Sequence, residues 1–194
     1  YNSSTEKGGG VYINSSVTDF SNCIIRNNIT ANNGGGIYMS GVTGAVFRNI
    51  QILYNEITSN YGGGGGLRIN GSSPLFDNLT VSWNTSGVGG GVYIYKGSPL
   101  ITNFTIDNNT AGYGNGGGGI YAFSSNAVFS NGLVSNNNAH NYGGGIALRH
   151  PSTTTITNVE ISNNFSSSEG GGIHLHQCAV NLSNVKIVNN HSYD

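Results

Sequence analysis

Few side chains in this sequence could do chemistry. Its 194 residues carry seven Lys/Arg, eight Asp/Glu, five histidines and two cysteines. Hydrolysis of a glycoside needs two carboxylates about 5–10 Å apart on one face. The carboxylates are Glu6, Asp19, Glu56, Asp77, Asp107, Glu160, Glu169 and Asp194. Lined up on the repeat described below, none has an acidic neighbour at the same position of the next unit. Asp77 and Asp107 in particular stand alone. Calcium-binding coils would need a repeated aspartate, which is absent. The densest polar group is Arg149, His150, His174 and His176. Two histidines at X-His-X-His spacing on one strand face can hold a metal, but no third ligand accompanies them. They read as a solvated patch, so neither a catalytic residue nor a cofactor is expected.

What must position these groups is a repeat. A glycine triplet followed by aliphatic-X-apolar recurs seven times, starting at Gly8, Gly34, Gly64, Gly89, Gly117, Gly143 and Gly170. A second mark, apolar-X-Asn, follows in every unit: Phe20/Asn22, Phe47/Asn49, Phe76/Asn78, Ile101/Asn103, Phe129/Asn131, Ile156/Asn158 and Leu182/Asn184. Six residues past each of these asparagines comes another: Asn28, Asn55, Asn84, Asn109, Asn137, Asn164 and Asn190. Spacing is fixed inside the marks and variable between them, as expected of structural positions joined by loops.

Period-2 alternation fills the units, as in Val11/Ile13, Val92/Ile94 and Leu79/Val81, and no helical stripe is present. One unit cannot close a core, but stacked units share one. The reading is an all-β parallel, right-handed β-helix of seven coils with 25–30 residues each, forming one domain over 1–194. At the ~4.8 Å spacing of strands it rises roughly 30–35 Å. The asparagines Asn28 to Asn190 are expected to form a corner ladder, each amide bonding those above and below, with left-handed backbone. The triplets are expected to provide positive φ and close approach. Cys23 and Cys178 fall in coils one and seven, beyond disulfide reach, and read as buried free thiols.

The succession of apolar-X-X-Asn, alanine or a short linker, and Gly-Gly-Gly-Ile resembles the repeats of chlamydial polymorphic membrane proteins. The stretches 25–37, 106–120 and 134–146 carry it most clearly, with Ala31, Ala111 and Ala139 between the marks. The resemblance spans essentially the whole chain. It implies a β-helical passenger domain of a surface adhesin.

Composition narrows the partners. A net charge of -1 removes the electrostatic footprint of nucleic-acid binding. No apolar run is long enough for a membrane span, and no signal peptide is visible. Sequons point to an extracellular, secreted or cell-surface location. Asn14 and Asn70 share one outward position and are the first candidates for N-linked glycans, with Asn2, Asn108 and Asn181 also off the ladders. Sequons at Asn28, Asn78, Asn84, Asn103, Asn164 and Asn190 sit on corner asparagines, where an inward side chain would carry no glycan.

Three functions compete. The first is a non-enzymatic building block of a filament or surface stalk, a segment of a longer chain or a self-stacking subunit. It rests on terminal coils without caps and on an outward apolar column, Val46, Leu75, Leu100 and Val128. The second is a carbohydrate-binding or adhesin module that uses the tyrosine column Tyr12, Tyr38, Tyr93 and Tyr121, with cell-surface carbohydrate as partner. The third is a polysaccharide-active enzyme.

Overall fold

The computed structural model describes residues 2–114, 116–150 and 153–193, which leaves Tyr1 and Asp194 outside it. Every strand pairing is parallel, and the chain winds through three sheets in turn. The first sheet contains seven four-residue strands: Val11–Asn14, Ile37–Ser40, Leu67–Asn70, Val92–Tyr95, Ile120–Phe123, Ile146–Arg149 and Ile173–His176. The second contains the seven longest: Phe20–Arg26, Thr43–Leu53, Ser73–Ser82, Leu100–Asp107, Val128–Ser135, Thr153–Ser162 and Ala179–Val188. The third stacks eight two-residue strands, from Ser3–Ser4 to His191–Ser192. This is the seven-coil parallel β-helix read from the repeat.

The inward columns of the first two sheets are chiefly apolar, whereas that of the third mixes Thr30, Ser86 and Ser166 with Ile57, Ala111 and Ala139. Ile13, Met39, Ile69, Ile94, Ala122 and Leu148 form one buried column of the first sheet. In the second sheet Phe47 lies stacked on Phe76 with ring centroids 4.6 Å apart. Gly132 shares a column with Phe104, whose ring occupies the space that a Cβ at Gly132 would need, 2.4 Å away. A single large ring thus fills two coils and leaves the second no side chain.

The corner between the second and third sheets never varies. The Oδ1 of Asn109 accepts the backbone N–H of Asn84 (2.9 Å) and its Nδ2 (3.0 Å), and Asn109 repeats both donations to Asn137. The pattern runs through Asn28, Asn55, Asn84, Asn109, Asn137, Asn164 and Asn190. Two details of the expected ladder are corrected. The ladder asparagines do not have left-handed backbone; the residue before each does, from Asn27 (φ 56) to Asn189 (φ 54). Asn2, read as off the ladder, is its first rung and donates Nδ2 to Asn28 Oδ1 at 2.9 Å.

Apolar-X-Asn forms a second ladder, on the outside. Asn22, Asn49, Asn78, Asn103, Asn131, Asn158 and Asn184 all have φ between 52 and 58. Asn49 donates to Asn22, Asn78 to Asn49, Asn158 to Asn131 and Asn184 to Asn158, at 2.8–3.0 Å. Asn103 turns to Asp77 instead, at 2.7 Å. Asn78 and Asn103 are therefore exposed sequons, not inward corners.

The triplets have the properties expected of them. Gly89 has φ +60, and a Cβ on Gly91 would lie 2.7 Å from the carbonyl oxygen of Gly119. The same Cβ would lie 2.9 Å from Nδ2 of Asn109, the ladder residue of its own coil. The two marks of the repeat therefore touch.

Candidate functional site

The outer face of the first sheet gathers most of the chemistry. Side chains that alternate away from the core form one column, Tyr12, Tyr38, Arg68, Tyr93, Tyr121, Ala147 and His174. Beside it runs a second, Asn14, Ser40, Asn70, Tyr95, Phe123, Arg149 and His176. The predicted tyrosine column thus exists, but it is not the open platform that sugar stacking requires. Tyr12 is open, whereas Tyr38 is 6% and Tyr121 3% exposed. Tyr38 stacks on Tyr12 at 5.4 Å, and the Lys7 ammonium lies 5.2 Å from its ring centroid. Arg68 interrupts the tyrosines and holds its guanidinium 3.4 Å over the Tyr93 ring. Tyr93 meets Tyr121 edge-on at 4.8 Å. Long side chains from neighbouring coils close the column over its own rings.

Electrostatics follow from this burial. Desolvation lowers the Arg68 pKa from its ordinary value, and Tyr93 opposes the shift. The Tyr121 hydroxyl is pushed up to about 12, first by burial and then by Tyr93, with Arg149 pulling the other way. It stays protonated at neutral pH. Burial also lowers the His174 pKa, against Glu169, whose Oε2 lies 3.4 Å from His174 Nε2.

Arg149 and His176 are cross-coil partners, as their spacing implied, and His174 lies beside them. The sequence reading missed Glu169 and Tyr142, which complete the patch. The Arg149 guanidinium stands 5.6 Å from the Tyr142 ring centroid, and Tyr142 stacks on His174 at 4.7 Å. The ring centroids of His174 and His176 are 6.4 Å apart. Among the described residues no group of three or more His, Cys, Asp or Glu can hold a metal. Arg68 Nε, Arg149 Nε, His174 Nδ1 and His176 Nδ1 are buried without a hydrogen-bond partner, all on this face.

The other candidate residues are spread over the surface. Among cross-coil pairs no carboxylate faces another. Glu160 pairs with Lys186 at 3.0 Å, Asp77 accepts from Asn103, and Asp107 accepts from Ser82 and Asn108. Val46, Leu75, Leu100 and Val128 form one continuous, partly exposed column that ends at Thr155 and Asn181. Asn14 and Asn181 are exposed, Asn108 is half-buried, and Asn70 is half-buried and donates to Ser40 at 3.1 Å. Cys23 and Cys178 are free, half-buried thiols at opposite ends of the core.

Sequence reasoning also passed over Tyr54 and Trp83. Both take the left-handed slot before a ladder asparagine, where the other five coils have Asn27, Asn108, Asn136, Asn163 and Asn189. Aligning the repeats at that slot would have exposed the exception.

A family model described as a right-handed beta helix region matches residues 1–110 and 65–194. Neither curated proteins nor solved structures gave a match.

Proposed function

The chain belongs to the right-handed β-helix family, and on that premise we propose that it is a non-catalytic extracellular rod, a β-helical segment of a filament or surface stalk. One observation carries the reading: the inward columns and the inner asparagine ladder continue from coil to coil without a break, so each coil offers its neighbour the same stacking surface. The ladder is polar, since every rung donates toward the C-terminal end. Asn2 donates at the first rung and Asn190 accepts at the last. Coils that stack on one another in this way can stack on those of another copy. Because such an interface is heterologous, it propagates instead of closing.

The resemblance to chlamydial polymorphic membrane protein repeats supports a surface role. So do the sequons. The test is light scattering and negative-stain imaging of the isolated 194-residue chain at high concentration. End-to-end rods that shorten with Leu182→Lys are expected; discrete monomers at every concentration would reject self-stacking.

The unpartnered nitrogens of the first-sheet face favour a second reading, recognition of a cell-surface carbohydrate. The contacts would come from Arg149, His174 and His176 in place of the covered tyrosines. Glycan-array binding that survives Arg149→Ala unchanged would remove it.

A further inference from the structure

Tyr54 and Trp83 are the two coils' exceptions in a column otherwise made of asparagine. Their backbones are left-handed, with φ 53 and 60. Asparagine adopts that conformation readily; bulky aromatic residues do so at a cost. Such strain persists where the residue serves something other than the fold. Burial is not the compensation here, since the side chains are 54% and 53% exposed. The two rings lie nearly parallel, 10° apart in plane, with centroids separated by 6.1 Å.

What borders Tyr54 identifies a ligand class. A groove on one side is lined by Asn27, Ile29, Tyr54 and Glu56. It combines an aromatic ring and an aliphatic side chain with an amide and a carboxylate at its rim. A second groove shares Glu56 and adds Thr58, Ser59 and Thr85, with the exposed Tyr113 at its edge. A pyranose ring presents an apolar C–H face and a rim of hydroxyls, which matches this arrangement. Neither groove is lined by Lys or Arg, and the shared charge is the negative one of Glu56. That charge repels uronic acids and sulfated sugars and leaves uncharged ones.

We propose that the corner formed by Tyr54, Trp83, Glu56 and Asn27 is a binding site for an uncharged oligosaccharide. It lies at the turn between the second and third sheets, away from the Arg149–His174 face, and does not depend on whether the rods stack.

Trp83 is the chain's single tryptophan, so its fluorescence reports on this corner alone. The full chain is titrated with cellohexaose, xylohexaose and mannohexaose. At least one should shift the emission to shorter wavelength with saturation, and Tyr54→Asn should weaken that affinity at least tenfold. Trp83→Asn, followed by calorimetry, should abolish the heat of binding. Both variants restore the residue the other coils use, so their melting temperatures should stay level or rise. A fall of several degrees in either would assign the aromatic pair to structural stacking and overturn the proposal. It is equally overturned if no oligosaccharide shifts the emission at millimolar concentration, or if Tyr54→Asn binds as wild type. Self-association lost in Tyr54→Asn without any sugar response would make the corner a protein interface instead.

Discussion

Two asparagine ladders run the length of this rod, and they use the same side chain for different reasons. In the inner ladder Asn109 is fully buried. Its Oδ1 accepts two hydrogen bonds, and its Nδ2 donates to Asn137 Oδ1 and to the carbonyls of Val81 and Asp107. In the outer ladder Asn158 is exposed and gives one side-chain bond, to Asn131 at 3.0 Å. Its φ of 54 is the more demanding feature. The inner position needs the amide; the outer position needs the backbone hand. Seven identical residues in a repeat are therefore no guide to which requirement is at work.

Breaking the inner ladder should cost most. Asn109→Leu leaves the backbone N–H and one Nδ2 proton of Asn84 without an acceptor in a buried corner, and it takes one donor each from Asn137 Oδ1 and the carbonyls of Val81 and Asp107. Orphaned buried groups cost about 1–3 kcal/mol each, so a total of roughly 4 kcal/mol is expected after relaxation. Urea unfolding measures it, and a loss below about 1 kcal/mol would erase the distinction between the ladders.

Contact between the glycine triplet and the inner ladder predicts the next largest effect. The Cβ added by Gly91→Ala would overlap the Gly119 carbonyl and crowd Nδ2 of Asn109. Overpacking of this kind costs about 2 kcal/mol. Asn109→Ala removes one of the two obstructions, so the double variant should be about 1 kcal/mol more stable than additivity allows. Strict additivity would show that the two marks do not communicate.

The outer ladder should be far more tolerant. Asn158→Ala forces a Cβ-bearing residue without a polar side chain into left-handed backbone and should cost about 1 kcal/mol. Asn158→Gly, which adopts that conformation freely, should stay within about 0.5 kcal/mol of wild type. An equal loss for both would mean that the exposed amide bond, not the backbone, holds the column.

The number of coils, the parallel sheets and the inner ladder were legible because their marks recur at fixed spacing. The two asparagine marks could not be told apart, because positive φ breaks the alternation that assigns faces. Phe20 and Cys23 both belong to inward columns although they stand three positions apart. Asn22 between them turns the backbone and resets the parity. The tyrosine column was legible as a column, since Tyr12, Tyr38, Tyr93 and Tyr121 do share one position. Its closure was not, because it depends on how far the side chains of Arg68, in the same column, and Lys7 extend over neighbouring rings. Tyr54 and Trp83 were hidden for the opposite reason: they look like ordinary aromatics until the repeats are superposed.

The smallest effect on the fold separates the ladders most cleanly. When the chain is secreted by a cell that glycosylates Asn-X-Ser/Thr, glycopeptide mapping should find the inner-ladder sequons Asn28, Asn84 and Asn164 bare. Their side chains are buried and bonded on both sides, and no transferase can reach the nitrogen. Asn14, exposed at the end of its strand, should carry glycan. The outer-ladder sequons Asn78 and Asn103 should be modified in part, because each Nδ2 is solvent-exposed but engaged, with Asn49 and Asp77 respectively. Sugar at these sites adds mass without displacing a core contact, so the melting temperature should move by no more than about a degree or two. Full occupancy at Asn84 would require the corner to turn outward, and the inner ladder as described here could not stand.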